Sequence, residues 1–431
     1  MFHLGWFVGY GYGVQSWRGQ WSGKGGTDWM KPDSYVDLVR SMERAGFDYV
    51  MFEDSSTVPD THCGSINSVL RNAHGAPKLD PMTLVPLLAQ ATERLGIVVT
   101  AATAFYPPYI LARLAASLDH LSNDRVGMNL VTASSNSAAR NFGLDQHYEH
   151  DHRYRMADEW TDVVTRLWES WDPDALVIDR DAPLFADGDK VHPIDFDGEF
   201  YKVKGPLQVP RSPQGRPVIC QAGGSPAGRD FAAKWSDTII TGVRGVDAMK
   251  AYRDDIRMRV AGHGRNPDDV KVLYLVSPVL DDTVEAAQAK AKRIEQDRLD
   301  NAEWALQTMS YASGIDFSQF DLDKPLPEVE TNGHTTTLSE FAKSAGGRTL
   351  REAVAYRQNE SIPLVGTPET VAHMMGEIAE GTGGDGFLIA NEIDRVTVAQ
   401  ITEGLAPALQ RRGLTRSSYE FDTLRENLRA F

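Results

Sequence analysis

Between Thr132 and Tyr154 the chain gathers side chains that can donate or accept hydrogen bonds and protons. They are Thr132, Ser134, Ser135, Asn136 and Ser137, then His147, His150 and His152, then Tyr154. An apolar run, Arg125 to Val131, leads into them, and an amphipathic pattern of about Asp151 to Trp171 follows. Polar groups just past the carboxyl end of a buried strand mark a site, because the strand end is rigid and the loop is free to vary. The chemistry open to these types is the holding of a polar ligand, with His and Tyr also offering ring edges. His150 and Tyr154 stand four apart, so on a helix that has already begun they share a face. Two polar residues opening a surface helix would read the same way. The three histidines do not follow the HExxH spacing and have no carboxylate-rich partner motif, so no metal is expected.

Other candidates lie at the ends of other apolar runs. Gly223, Gly224 and Ser225, in AGGSPAGRD, follow one run and open a helix at once. Free N–H groups at a helix start bind phosphate. Ser225 followed by Pro226 is equally an ordinary helix cap. Asp54 closes a second run and reads either as a turn residue or as an acceptor for a ligand donor. Thr103 and Asn129 sit near two further run ends, where a polar group needs a partner. GYGYG, Gly9 to Gly13, lacks the GxGxxG spacing of a dinucleotide loop, and its aromatic residues suit an apolar wall. GxSxG does not occur, and no Ser-His-Asp order is convincing, so a covalent hydrolase is unsupported.

These residues need elements to hold them. Phe2 to Val8, Asp48 to Phe52, Ile97 to Thr103, Arg125 to Val131, Pro217 to Gln221, Asp237 to Thr241, Val270 to Val276 and Gly386 to Ala390 are short apolar runs. Helical patterns alternate with them, including Lys31 to Ala45, Pro81 to Leu95, Pro107 to Leu121, Thr367 to Ala379 and Val396 to Arg411. Strands apolar on both faces, each followed by a helix, predict a parallel α/β barrel of the TIM type in one domain; a doubly wound open sheet is the second choice. Two stretches break the alternation and read as insertions, about 172–216 and 281–363. The segment Ser55 to Leu79 reads as a loop over a site. The charged tail from Thr415 reads as a surface arm.

Composition narrows the function classes. A net charge of −16 over 431 residues argues against nucleic acid and anionic membranes. Two cysteines, Cys63 and Cys220, exclude a disulfide framework and fit a cytoplasmic protein. No apolar run is long enough to span a bilayer.

Three segments together resemble one family closely. They are AFYPPYILARLAASLDHLSNDRVGMNLVTASSNSAARNFG, then HYEHDHRYRMADEW, then QAGGSPAGRDFAA. The chain is similar, almost from end to end, to the nitrilotriacetate and dibenzothiophene-sulfone monooxygenase group of bacterial-luciferase-like flavin proteins. The resemblance implies a luciferase-like TIM barrel and an oxidoreductase that is a two-component monooxygenase. It implies FMN, used as FMNH2 supplied by a separate NAD(P)H:flavin reductase, together with O2. It implies a small organic substrate, with cleavage of a C–S or C–N bond. Carried onto this chain, the flavin contacts are Asp54, Thr103, Asn129, His150, Tyr154, Gly224 and Ser225. Trp17 and Trp21 border the substrate, although SWRGQWSG leaves open which of them matches the family's Trp-Arg pair. The family habit implies a homo-oligomer. An F420-dependent oxidoreductase on the same barrel and a non-catalytic flavin-binding protein are the alternatives.

Overall fold

A computed structural model describes residues 1–9, 12, 14–19, 22–333, 335–355 and 362–431. Trp21 lies outside the described residues. Eight parallel strands close into a barrel: β1 (His3–Val8), β2 (Tyr49–Phe52), β3 (Gly96–Ala102), β4 (Val126–Val131), β5 (Val218–Gln221), β6 (Thr238–Thr241), β7 (Lys271–Val276) and β8 (Gly386–Ile389). Each pairs with its sequence neighbours, and β1 pairs with both β2 and β8. Strands β2, β5, β6 and β8 are buried at every residue, which is why they read as short, mainly apolar runs.

The helices that matter for the site are α1 (Asp33–Arg44), α2 (Pro81–Ala91), α3 (Pro108–Leu121), α4 (His150–Trp168), α5 (Pro226–Trp235), α6 (Val246–Gly262) and α7 (Pro368–Thr382). Their starts follow local chemistry. Asp80, Ser225 and Thr367 cap α2, α5 and α7 by accepting a backbone N–H, each with Pro next in the helix. A short helix, Asn136–Asn141, interrupts the polar loop after β4, capped by Ser135. The loop reading missed it because Ser, Asn and Ala carry no apolar period over six residues.

Segment 172–216 contains two small antiparallel ribbons, Leu176–Asp179 with Leu184–Ala186 and Phe196–Asp197 with Lys202–Val203. The second is fastened to α4, because the Glu159 carboxylate accepts the N–H groups of Glu199, Phe200 and Tyr201 at 3.0, 2.9 and 2.8 Å. Segment 281–363 leaves and rejoins the barrel through a parallel pair, Val279–Leu280 with Val365–Gly366. Its helices Ala302–Ser313, Thr335–Ala345 and Leu350–Ala355 carry their own apolar cluster around Leu306, Phe317, Phe341 and Leu350.

The tail is not a surface arm. Leu424 and Leu428 join Tyr49, Met51, Val98, Cys220, Leu273 and Leu388 inside the barrel. A Cβ on Gly96 would stand 2.4 Å from Leu424, so the missing side chain at the start of β3 is what admits the plug. The tail's charges end on groups at strand starts. Arg416 meets Asp48 at 2.6 Å, Arg425 meets Asp237, and the Phe431 carbonyl accepts from Lys271 at 2.8 Å. The amino-terminal mouth is thereby closed, and polar ligands are left the carboxyl-terminal rim.

Candidate functional site

The rim is built from strand ends, and its polar groups fall into three linked sets. The first sits on β3 and β4, where Thr100 and Asn129 are register partners. Thr100 Oγ1 donates to the Phe52 carbonyl at 2.8 Å, so it accepts from Asn129 Nδ2 at 2.9 Å. That order leaves Asn129 Oδ1 as a buried acceptor with no donor among the described residues. An unsatisfied buried acceptor costs about 1–3 kcal/mol. Thr103 is also buried, but its hydroxyl lies 3.4 Å from the Val131 carbonyl, and the hydroxyl that reaches Asn129 belongs to Thr100.

The second set joins α4 to the turn after β5. Tyr154 directs its hydroxyl at Ser225, Gln221 and Thr132. Burial pushes that hydroxyl above the usual phenol range, and these three partners oppose the shift, so it stays a proton donor. The glycines of AGGSPAG are a packing requirement. A Cβ on Gly228 would stand 2.7 Å from the Tyr154 hydroxyl, and one on Gly223 would stand 2.5 Å from the Gly228 carbonyl. Ser225 Oγ accepts the Gly228 N–H at 3.1 Å, so the hydroxyl caps α5 whether or not a ligand is bound. Arg229 fixes the turn from below. Its Nε donates to the Gly224 carbonyl at 3.0 Å, and its guanidinium lies 4.7 Å over the Tyr252 ring. That guanidinium is paired with Asp255 at 3.1 Å, so what favours an anion here is the helix start. Gln221 Oε1 is buried close to the Tyr154 hydroxyl without a hydrogen bond of good geometry, so it too can accept a donor.

The third set is charged. Lys78 Nζ bridges both Glu53 carboxylate oxygens at 3.0 Å and Ser55 Oγ at 2.9 Å, and stands 3.5 Å from Asp54. Burial raises the Asp54 carboxyl to about 6; Lys78 pulls it down, and the neighbouring charge of Glu53 pushes it further up. Tyr12, from the glycine-rich first loop, donates to the Glu53 carbonyl and packs its ring on Phe52 and Tyr35. That residue walls the rim as its apolar character suggested.

The three histidines separate. His147 accepts the Tyr148 N–H on Nδ1 at 3.0 Å and so donates from Nε2 to the Thr132 carbonyl at 3.1 Å. Burial, with the charge of Arg153 adding, lowers its pKa to about 4. It is a neutral clamp on the loop. His152 turns to Arg155 at 3.0 Å. His150 contacts Asp151 at 2.8 Å and lies with its ring 5.0 Å from Tyr154, on the shared face that their spacing predicts. Asn332, from the second insertion, accepts the His150 N–H at 3.0 Å and offers its carbonyl to Arg153 at 3.0 Å, so that insertion grips the start of α4. Trp17 is 43% exposed beside Arg18, where it can border a ligand but buries little area alone.

Asp54, Asn129, His150, Tyr154, Gly224 and Ser225, expected from type and position, stand among these sets with Thr132 of the polar loop, and the structure adds Thr100, Gln221, Arg229 and Lys78, which the residue reading did not single out. Thr and Gln at strand ends are ordinary strand residues by composition. The available signal was parity: Thr100 and Asn129 continue the inward series Val98 and Gly127. A depression lined by Met1, Phe2, His373 and Leu414 lies away from these strand ends and holds none of these groups.

Residues 3–386 match the luciferase-like monooxygenase family. The chain is 38% identical over 411 residues to a dibenzothiophene-sulfone monooxygenase of Rhodococcus erythropolis, covering 93% of this chain and 90% of that protein. It is 36% identical to a dimethyl-sulfide monooxygenase of Hyphomicrobium sulfonivorans, covering 91% of this chain and 83% of the relative. Among solved structures it resembles a riboflavin lyase described with modified FMN and riboflavin, with a TM-score of 0.90, 32% identity and coverage of 100% and 96%. An F420-dependent secondary alcohol dehydrogenase shares the fold at 16% identity and a TM-score of 0.60.

Proposed function

Since this chain belongs to the luciferase-like monooxygenase family, we propose that its rim binds reduced FMN delivered by a separate NAD(P)H-dependent reductase and uses O2 to oxygenate a small organic substrate of the C–S or C–N bond cleaving type. The observation that carries the reading is Asn129 Oδ1, a buried acceptor held in place by Thr100 and lacking a donor among the described residues. A flavin supplies N–H and ribityl O–H donors along one edge and a phosphate at the other end. The residues present fit both. Asn129, Gln221 and Asp54 offer acceptors, and the turn Gly223–Ser225 with Tyr154 offers donors and a helix start.

Reduced FMN supplies, when bound, the two electrons that activate dioxygen. The chain's own groups do the rest. Tyr154 and Ser225 orient the phosphate end, with His150 against the Tyr154 ring. Asn129 and Asp54 fix the ring edge. Trp17, the 55–79 segment and the second insertion close over the substrate and keep water out, and a dry polar pocket favours oxygen transfer over futile release of peroxide. The aromatic first loop favours an apolar or sulfur-bearing substrate over a polycarboxylate. We place the protein in the cytoplasm as a homo-oligomer; no described helix is long and apolar enough to cross a membrane.

The test supplies FMNH2 from an unrelated reductase, follows oxygen uptake, and reads products by mass spectrometry over a panel of sulfones, sulfides and aminopolycarboxylates. Substrate-dependent uptake with a mono-oxygenated or cleaved product supports the reading. Turnover with reduced F420 and none with FMNH2 overturns it, and so does flavin binding with no substrate-dependent uptake.

Asp54 adds a pH signature. Its raised carboxyl pKa means that the folded chain keeps a proton the unfolded chain has released. That group's contribution to stability is therefore greatest at low pH and is lost as pH rises through about 6. Binding to its ionised form runs the other way. Affinity for reduced FMN rises across pH 6 in the wild type, and Asp54→Asn removes that part of the pH profile while leaving the ligand's own titration. Superimposable profiles would remove Asp54 from the site.

A further inference from the structure

A second group of ligating side chains lies where the loop after β2 meets the second insertion. His62 is 2% exposed. Its Nδ1 is 3.0 Å from Ser310 Oγ, and its buried Nε2 has no hydrogen-bond partner among the described residues and faces Glu303 at 3.8 Å. Cys63 is exposed with a free thiol, and its N–H donates to Asp316 at 3.0 Å. One ligand atom each from His62, Cys63 and Glu303 lies within 4.8 Å of the other two.

We propose that His62, Cys63 and Glu303 bind one divalent transition metal ion of the zinc class, which ties the loop after β2 to the helix Ala302–Ser313. The donor set is one imidazole, one thiolate and one carboxylate, a mixture that suits zinc or cobalt and leaves a fourth position for water. Ligands about 2.0–2.3 Å from one tetrahedral ion stand roughly 3.3–3.7 Å apart. The His62–Glu303 separation is already close to that, and Glu303, with its side chain 69% exposed, is free to swing the remaining distance. The imidazole is oriented for the task. Ser310 Oγ already accepts the Phe317 N–H at 3.0 Å, and it can accept the Nδ1–H of His62 on its second lone pair. That tautomer turns the Nε2 lone pair towards Glu303 and Cys63, the second-layer arrangement that metal-bound histidines use. Asp316, 4.0 Å from His62 Nδ1, adds negative charge that a dication offsets. The competing account is an ordinary His62–Glu303 ion pair beside an unrelated thiol.

Cobalt(II) reports the difference, because a thiolate ligand gives a near-ultraviolet charge-transfer band and tetrahedral geometry gives strong visible bands. The full chain, stripped with a chelator, is titrated with cobalt(II) chloride and then with zinc. The expected result is saturation at one ion per chain with both bands, bleached by zinc. Cys63→Ser abolishes the charge-transfer band, and Glu303→Gln keeps it but weakens binding, because a neutral amide replaces a ligating carboxylate. Zinc raises the urea midpoint of the wild type and not of Cys63→Ser, since binding to the folded chain alone stabilises it. Absence of saturable binding, or equal cobalt spectra in wild type and Cys63→Ser, overturns the proposal.

Discussion

Replacing Arg416 with methionine lowers the free energy of unfolding by about 3–5 kcal/mol, the cost of leaving a buried carboxylate without its partner. Asp48 sits at 2% exposure at the barrel's closed mouth. Its oxygens accept from His3 at 2.9 Å, the Leu4 N–H at 2.8 Å and Arg416 at 2.6 Å. Burial alone would raise the Asp48 carboxyl. His3 and Arg416 outweigh burial and hold it below the ordinary carboxylate range. The sign follows: this carboxylate contributes stability above its unfolded pKa, and the contribution is lost as pH falls through the lower folded value. Arg416 also donates to the Asn427 side chain and carbonyl at 2.8 and 2.7 Å and lies 5.2 Å from the Phe431 ring. The methionine therefore loosens the plug as well as exposing the charge imbalance. Urea denaturation followed by tryptophan fluorescence reads the loss, and acid unfolding of the variant begins at higher pH than that of the wild type. The double variant Asp48→Asn/Arg416→Met recovers part of the stability, because neither charge is then left alone. A single variant with the wild-type midpoint would show that the tail only decorates the barrel.

The same tail shows what local pattern carries and what it omits. Eight strands were legible because most of their residues are buried and apolar. Their helices were legible because Asp80, Ser225 and Thr367 start them with Pro next in line. The plug was not legible. Leu424 and Leu428 are two apolar residues in a charged stretch, and the partners that bury its charges, Asp48 and Asp237, lie 368 and 188 positions away. Composition reports how many charges a segment carries and is silent on whether they are paired. At the rim the division is similar. Ser225 stood out because glycines and a hydroxyl crowd a strand-to-helix turn and Tyr154 because it stands four residues from His150, whereas Thr100 matters only through Asn129, on the neighbouring strand. The separate destinations of His147, His150 and His152 likewise depend on contacts from other segments, and spacing alone showed only that no metal motif joined them.

Gly228→Ala and Tyr154→Phe each weaken reduced FMN binding by roughly ten- to hundredfold, the range for losing one hydrogen bond to a charged group, and the double variant is little worse than either. The reason is geometric. Tyr154 reaches the turn after β5 only because position 228 has no side chain; an added Cβ would stand 2.7 Å from the phenol oxygen and 3.2 Å from Ser225 Oγ. The phenol oxygen is the end of a side chain and can swing away, whereas the backbone of α5 cannot, so alanine expels the hydroxyl that phenylalanine deletes. Two changes that remove the same interaction do not add. Ser225→Ala behaves differently. It costs α5 its cap, about 1 kcal/mol of stability, and shows in urea before it shows in binding. Gly228→Ala has little effect on stability, because alanine favours a helix by about 1 kcal/mol over glycine and offsets the local shift. Anaerobic titration with FMNH2, run beside urea denaturation for all four proteins, separates these cases. Additive losses for the double variant would place Tyr154 and the glycine turn on separate parts of the ligand. Unchanged affinity in Tyr154→Phe would remove the phenol from flavin binding and leave it as a packing residue between α4 and α5.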